Sequence, residues 1–181
     1  TASGSGGSNF NWYDALGNPL ANTTATYTST ESNPNTYTYF VEETVGSCTS
    51  PQTSFTFIIH ASPAAPSITP AQITICEGEI PGDFIANSNN GTAGTFTWYS
   101  DVALTTSVGN GTPFSPTQTT PGTYDYWLTE TDLTTTCFST PATATFIINS
   151  LPLAPTVSAL PSTTICEGDL NPTFTAAQGV G

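Results

Sequence analysis

Four cysteines, one histidine and thirteen carboxylates carry the reactive chemistry of this sequence. The cysteines are Cys48, Cys76, Cys137 and Cys166. Their wide spacing lacks the close pairs from which a zinc site is built, so metal ligation is the weaker alternative. The spacing predicts disulfides, and with them an oxidising, extracellular compartment. A Cys76–Cys137 bond is expected, closing a loop of about sixty residues worth ~4 kcal/mol of chain entropy. Cys48 and Cys166 are expected to pair with partners outside the sequence.

His60 follows Phe57-Ile-Ile59, and where that pattern returns as Phe146-Ile-Ile148 the next residue is Asn149. A position that takes either His or Asn is not expected to hold a catalytic base. No Gly-x-Ser-x-Gly elbow occurs. The carboxylate pairs are Glu42 with Glu43, Glu77 with Glu79, and Glu130 with Asp132. Glu130 and Asp132 share a face if their strand persists that far. Ca²⁺ at Glu77, Glu79, Glu130 or Asp132 is conceivable, yet no Asp-x-Asp-x-Asp-Gly loop is present and solvated loop acids are preferred. Hydrolysis through a carboxylate pair lacks a cleft-forming insertion. No catalytic residue, no bound cofactor and no enzymatic activity are expected.

The elements that hold these side chains recur. Ile73-Thr-Ile-Cys76-Glu-Gly-Glu79 returns as Thr163-Thr-Ile-Cys166-Glu-Gly-Asp169, about ninety residues later. Thr36-Tyr-Thr-Tyr39 is echoed by Thr123-Tyr-Asp-Tyr126, Phe10-Asn-Trp12-Tyr13 by Phe96-Thr-Trp98-Tyr99, and the linker Pro63-Ala-Ala-Pro66 by Pro152-Leu-Ala-Pro155. Apolar residues alternate with Thr, and nowhere do they recur at helical spacing over three turns. Strands are expected near 73–76, 82–87, 94–100, 103–108, 112–116, 122–131 and 141–149. The predicted class is all-β: tandem immunoglobulin-like β-sandwich repeats.

Trp98 and Trp12 stand where such a sandwich buries an aromatic on its third strand. Tyr124 and Tyr37 stand where its tyrosine corner turns the hydroxyl back onto the chain. Tyr126 occupies the place of the second antibody cysteine. Trp12, Trp98, Tyr37, Tyr124, Tyr126, Phe146 and Ile148 form the expected core. The period divides the chain into residues 1–61, the later part of one repeat; 62–150, a complete repeat; and 151–181, the opening of the next. The sequence reads as a window on a longer parent, and Phe174–Gly181 followed by Thr1–Phe10 would rebuild the stretch between Phe84 and Phe96. No apolar run of eighteen residues is present, so direct membrane insertion is not expected.

Thirteen acidic residues without any Lys or Arg give a net charge of −13. Phosphate backbones are bound chiefly by Lys and Arg that displace counterions, so nucleic acid is not an expected partner. The same absence rules out a phosphate-binding lysine loop, a Schiff-base lysine and Lys or Arg salt bridges. Uniform acidity serves solubility and mutual repulsion.

In order, Ile-Cys-Glu-Gly-Glu, Phe-Thr-Trp-Tyr-Ser-Asp, Gly-Thr-Tyr-Asp-Tyr-Trp, Cys-Phe-Ser-Thr-Pro and Thr-Phe-Ile-Ile-Asn resemble the Ig-like repeats of giant Bacteroidota surface proteins, such as the gliding-motility adhesins exported by type IX secretion. The resemblance implies a secreted, cell-surface filament in which these units are structural spacers without catalytic residues. Neighbouring Ig-like repeats of the same chain or filament are the expected partners. Two alternatives stand beside the spacer: a module binding surface glycans or proteins through Trp127, Tyr99 or Phe138, and a small subunit polymerising by β-strand exchange.

Overall fold

A computed structural model describes residues 2–4, 9–91, 94–157, 164, 166–168, 170 and 173–179. The described residues form strands, turns and loops, with no helix among them. The chain falls into two compact units, one of residues 1–64 with 131–140 and one of residues 65–130 with 141–181.

The first unit contains β1 (Asn9–Tyr13), β2 (Pro19–Leu20), β3 (Asn35–Val45), β4 (Cys48–Thr49) and β5 (Thr53–Ile59). β3 is the centre of an antiparallel sheet, pairing with β1, β4 and β5. The β1–β2 turn is tied by Asp14, whose carboxylate accepts the main-chain N–H groups of Leu16 and Asn18 at 2.9 Å. Trp12 and Tyr39 are buried. Tyr27 caps both rings, at 5.7 and 5.4 Å between centroids.

The second unit contains β6 (Ser67–Thr69), β7 (Gln72–Cys76), β8 (Ile85–Asn87), β9 (Thr95–Tyr99), β10 (Ser107–Asn110), β11 (Gly122–Thr131), β12 (Ala142–Asn149), β13 (Thr156–Val157) and β14 (Ala176–Ala177). Its main sheet runs β10-β9-β11-β12-β7, with β6–β8 as a separate ribbon. β11 and β12 alternate as half-buried strands do: Tyr126, Leu128, Ala144, Phe146 and Ile148 turn inward. β7 joins β12 in parallel, with Ile73 opposite Phe146 and Cys76 opposite Asn149. The unit's first long strand and its last therefore run the same way, and the chain leaves from the opposite end of the sheet to the one where β7 begins.

Trp98, fully buried, is the hub of this unit. Phe114 stacks on it at 4.7 Å and Phe84 at 6.0 Å, and Phe114 meets Tyr126 edge-on at 5.0 Å. Phe84 and Phe114 exchange main-chain hydrogen bonds of 2.9 Å, which fixes both rings over the tryptophan. The indole N–H donates to the Gly111 carbonyl at 2.9 Å. Gly109 lies beneath the Phe114 ring, where a Cβ would sit 2.8 Å from a ring carbon. The two corner tyrosines are half-buried: Tyr124 donates to Thr120 O at 3.0 Å and Tyr37 to Asn33 O at 2.8 Å.

Two expected strands differ. Residues 101–106 form a turn rather than the start of a strand, because the Asp101 carboxylate gathers the N–H groups of Thr105 and Thr106 at 3.1 and 2.7 Å and Leu104 takes a left-handed φ of 57°. The strand that follows begins at Ser107. The expected 112–116 strand contracts to the Phe84–Phe114 bridge.

Phe84→Ala empties the space over Trp98 and is expected to cost ~3–5 kcal/mol, read from urea unfolding of the second unit. Burial pushes the Tyr126 phenol up to about 12. A folded pKa above the unfolded value of about 10 means that Tyr126's contribution is complete below pH 10 and lost as pH rises toward 12. Alkaline titration should show one tyrosine ionising together with unfolding, and Tyr126→Phe should remove that coupled step.

Candidate functional site

The cysteines lie at strand ends and in turns. Cys76 closes β7, where its N–H donates to the Glu79 carboxylate at 2.8 Å and Glu77 N–H reaches the Asn149 carbonyl at 2.8 Å. Gly78, at φ 87°, makes the tight turn between the two acids possible. Cys137 sits in the β11–β12 hairpin loop, where the Asp132 N–H donates to its carbonyl at 2.9 Å. Cys48 occupies the corresponding β3–β5 connection, paired with Val45.

The expected Cys76–Cys137 disulfide is not formed, and both are thiols. The reason is the parallel register. It sets Cys76 beside Asn149, at the end of β12, whereas the loop holding Cys137 joins the beginning of β12 at Ala142. The length of β12 separates these ends by on the order of 20 Å, and a disulfide needs Cα atoms within about 7 Å.

The carboxylate pairs also part. β11 ends at Thr131, before Asp132, so the same-face relation of Glu130 to Asp132 lapses. Glu130 is buried and accepts the Asn90 side-chain amide at 2.8 Å and the Gly94 N–H at 3.1 Å. Asp132 instead binds its own loop, accepting Thr134 and Thr135 N–H at 2.8 and 2.7 Å, and these bonds from Thr135 and then Thr134 hold its carboxyl below the usual range. Glu79 serves the Cys76 turn. Among the described residues no three His, Cys, Asp or Glu side chains gather as a metal centre. His60 is exposed just past β5. Of the aromatics considered for a binding platform, Trp127 and Tyr99 are half-buried on the sheet and Phe138 is exposed in the β11–β12 loop.

A cleft of about 520 Å³ lies in the first unit, lined by Phe10, Trp12, Tyr27, Val41, Glu43 and Phe55 among others. Composition alone did not announce it. The signal available was positional: these residues align with Phe96, Trp98, Phe114, Leu128, Glu130 and Ala144, which the second unit covers with β6, β8 and the loop after it. An aromatic-lined cleft on a sheet can take a strand or a peptide. It holds no nucleophile–base pair.

Residues 63–149 match a family of Ig-like domains described as CHU_C associated. Among solved structures, the fibronectin(III)-like modules of Clostridium thermocellum CbhA are 15% identical, with a TM-score of 0.42 and 78% of each chain covered. The N-terminal four Ig domains of Dscam1 isoform 1.9 are 14% identical, with a TM-score of 0.30, over 79% of this chain and 37% of that one. Drosophila N-cadherin EC1-4 is 12% identical, with a TM-score of 0.31, over 84% of this chain and 44% of that one. No curated protein matches.

Cys76 and Cys137 are both expected to be alkylated in the unfolded chain without reduction, checked by intact mass; a loss of two hydrogens mapping to Cys76 and Cys137 would contradict the register. Glu130→Leu strands the Asn90 amide and the Gly94 N–H. It should cost ~1–3 kcal/mol by urea unfolding, with little change for Asp132→Asn beside it.

Proposed function

We propose that this chain is a structural segment of a secreted cell-surface protein, in which Ig-like units follow one another as spacers and no chemistry is performed. The observation that carries the reading is the parallel pairing of β7 with β12. It puts the unit's beginning and its end at opposite ends of one sheet, which is what a module strung in line requires. The match of residues 63–149 to an Ig-like family supports the reading, as does its occurrence in Bacteroidota proteins.

The remaining features suit an exposed spacer. Carboxylates satisfied by main-chain N–H groups leave the surface uniformly negative, and like-charged neighbours repel within a Debye length of about 8 Å at physiological salt. The Pro63-Ala-Ala-Pro66 and Pro152-Leu-Ala-Pro155 segments stiffen the connections. We assign the segment, on the motif resemblance, to a surface adhesin of the gliding-motility type.

An antibody raised against residues 63–149 should label intact cells of the source organism and lose its epitope on shaving with external protease. Labelling that needs lysis of the cells would overturn the extracellular spacer.

A further inference from the structure

Two Asn-Gly pairs stand in the second unit, Asn90-Gly91 and Asn110-Gly111. An asparagine side chain followed by glycine is open to attack by the next main-chain nitrogen, because glycine has no Cβ to shield it. The fold treats the two pairs differently. Asn110 is extended in β10 opposite Thr97, and the Gly111 N–H donates to the Phe96 carbonyl at 2.9 Å. Attack there requires the nitrogen to leave a sheet. Asn90 lies instead in a bend past β8, its N–H donating to Ser88 Oγ at 3.2 Å. Gly91 follows at a φ of 70°, exposed, with nothing within 4 Å of where a Cβ would stand.

What restrains Asn90 is at the far end of its side chain. Nδ2 donates to Glu130 Oε2 at 2.8 Å, and Glu130 Oε1 accepts the Gly94 N–H at 3.1 Å. Glu130 is only 1% exposed, so the hydrogen bond is made out of water and fixes the plane of the amide. A carboxylate is also the wrong group to help the amide depart. Leaving ammonia needs a proton, and Glu130 faces it as an acceptor.

We propose that Asn90-Gly91 is a self-modification site whose rate is set by the Glu130 contact. When that contact opens, the Gly91 nitrogen gives its proton to solvent base and attacks Asn90 Cγ. The N–Cγ bond forms, the Cγ–Nδ2 bond breaks, and the amide nitrogen leaves as ammonia with one proton from water. Water then opens the cyclic imide at either carbonyl, leaving an aspartate or its β-linked isomer at position 90. The product carries a carboxylate where a donor stood, against one that is already buried. Two such groups disfavour each other's ionised form, and the chain has no Lys or Arg to place between them. The bend at 89–91 is thereby released from Glu130 in one direction only. This goes beyond the spacer role and does not depend on it.

Incubating the whole chain in warm, mildly alkaline buffer and mapping its peptides by mass tests the assignment. Deamidation is expected at Asn90 while Asn110 stays intact, and at both in the urea-unfolded chain. Glu130→Leu should raise the Asn90 rate relative to that of Asn110 by about tenfold or more. The ratio separates a gate from general loosening, since unfolding exposes both pairs alike. Asn90→Asp, which makes the product directly, should shift the second unit's equilibrium toward the unfolded state by about tenfold or more, and Asn110→Asp should not. Asn110 reacting first in the folded chain, or neither pair reacting, overturns the site. A ratio unmoved by Glu130→Leu overturns the gate, and an Asn90→Asp chain as stable as the parent overturns the release. Surface labelling of cells is unaffected by any of these outcomes, so the two readings fail separately.

Discussion

The second unit depends on the placing of two rings over Trp98. Phe84 and Phe114 are brought there by their reciprocal main-chain hydrogen bonds, although they lie on different stretches of irregular chain. Everything else in the core is arranged around that pair: Tyr126 meets Phe114 edge-on, Gly109 makes room beneath it, and the indole N–H is satisfied by Gly111. Stacked and edge-to-face rings add about 0.5–1.5 kcal/mol each beyond their burial. A small sandwich without a disulfide has need of such contacts.

Charge is handled by an equally consistent device. With no Lys or Arg in the chain, the carboxylates are satisfied by N–H and O–H donors. Asp14, Asp101 and Asp132 each gather main-chain N–H groups of their own turn, and their carboxyl groups are held below the usual range mainly by those bonds and, at Asp14, first by the Asn18 side chain. Glu130 does the same from inside the core for the loop at Asn90 and Gly94. These acids organise loops. That leaves none of them assembled with another as a reactive pair or an ion site among the described residues.

Much of this was legible in the sequence and some was not, for identifiable reasons. The alternation in 122–131 and 141–149 is long and regular, so β11, β12, Tyr126, Phe146 and Ile148 were readable as a buried sheet face. The corner tyrosines carry their own local partners and could be placed from spacing. Val102-Ala-Leu104 looks like strand, but a single acid at 101 and a left-handed Leu104 bend it into a turn. Phe84 and Phe114 were missed as core because Phe84 lies just ahead of the short β8 and Phe114 in irregular chain, so no alternation marks either ring as inward-facing. The cysteine pairing failed for a topological reason: which end of the sheet Cys76 reaches follows from β7 running parallel to β12, a long-range choice with no local signature. The first-unit cleft was legible only through alignment of the two units.

In the spacer role proposed above, the Ig-like unit is a mechanical module whose β7–β12 pair lies in the line of pull and whose chain is not looped by a Cys76–Cys137 disulfide. Single-molecule extension of the chain between its ends tests it most directly. A discrete unfolding peak is expected for the Ig-like stretch 63–149, with a contour gain on the order of 250–300 Å that is the same in oxidising and reducing buffer. A gain that lengthens on reduction, or extension without a resisted step, would contradict it.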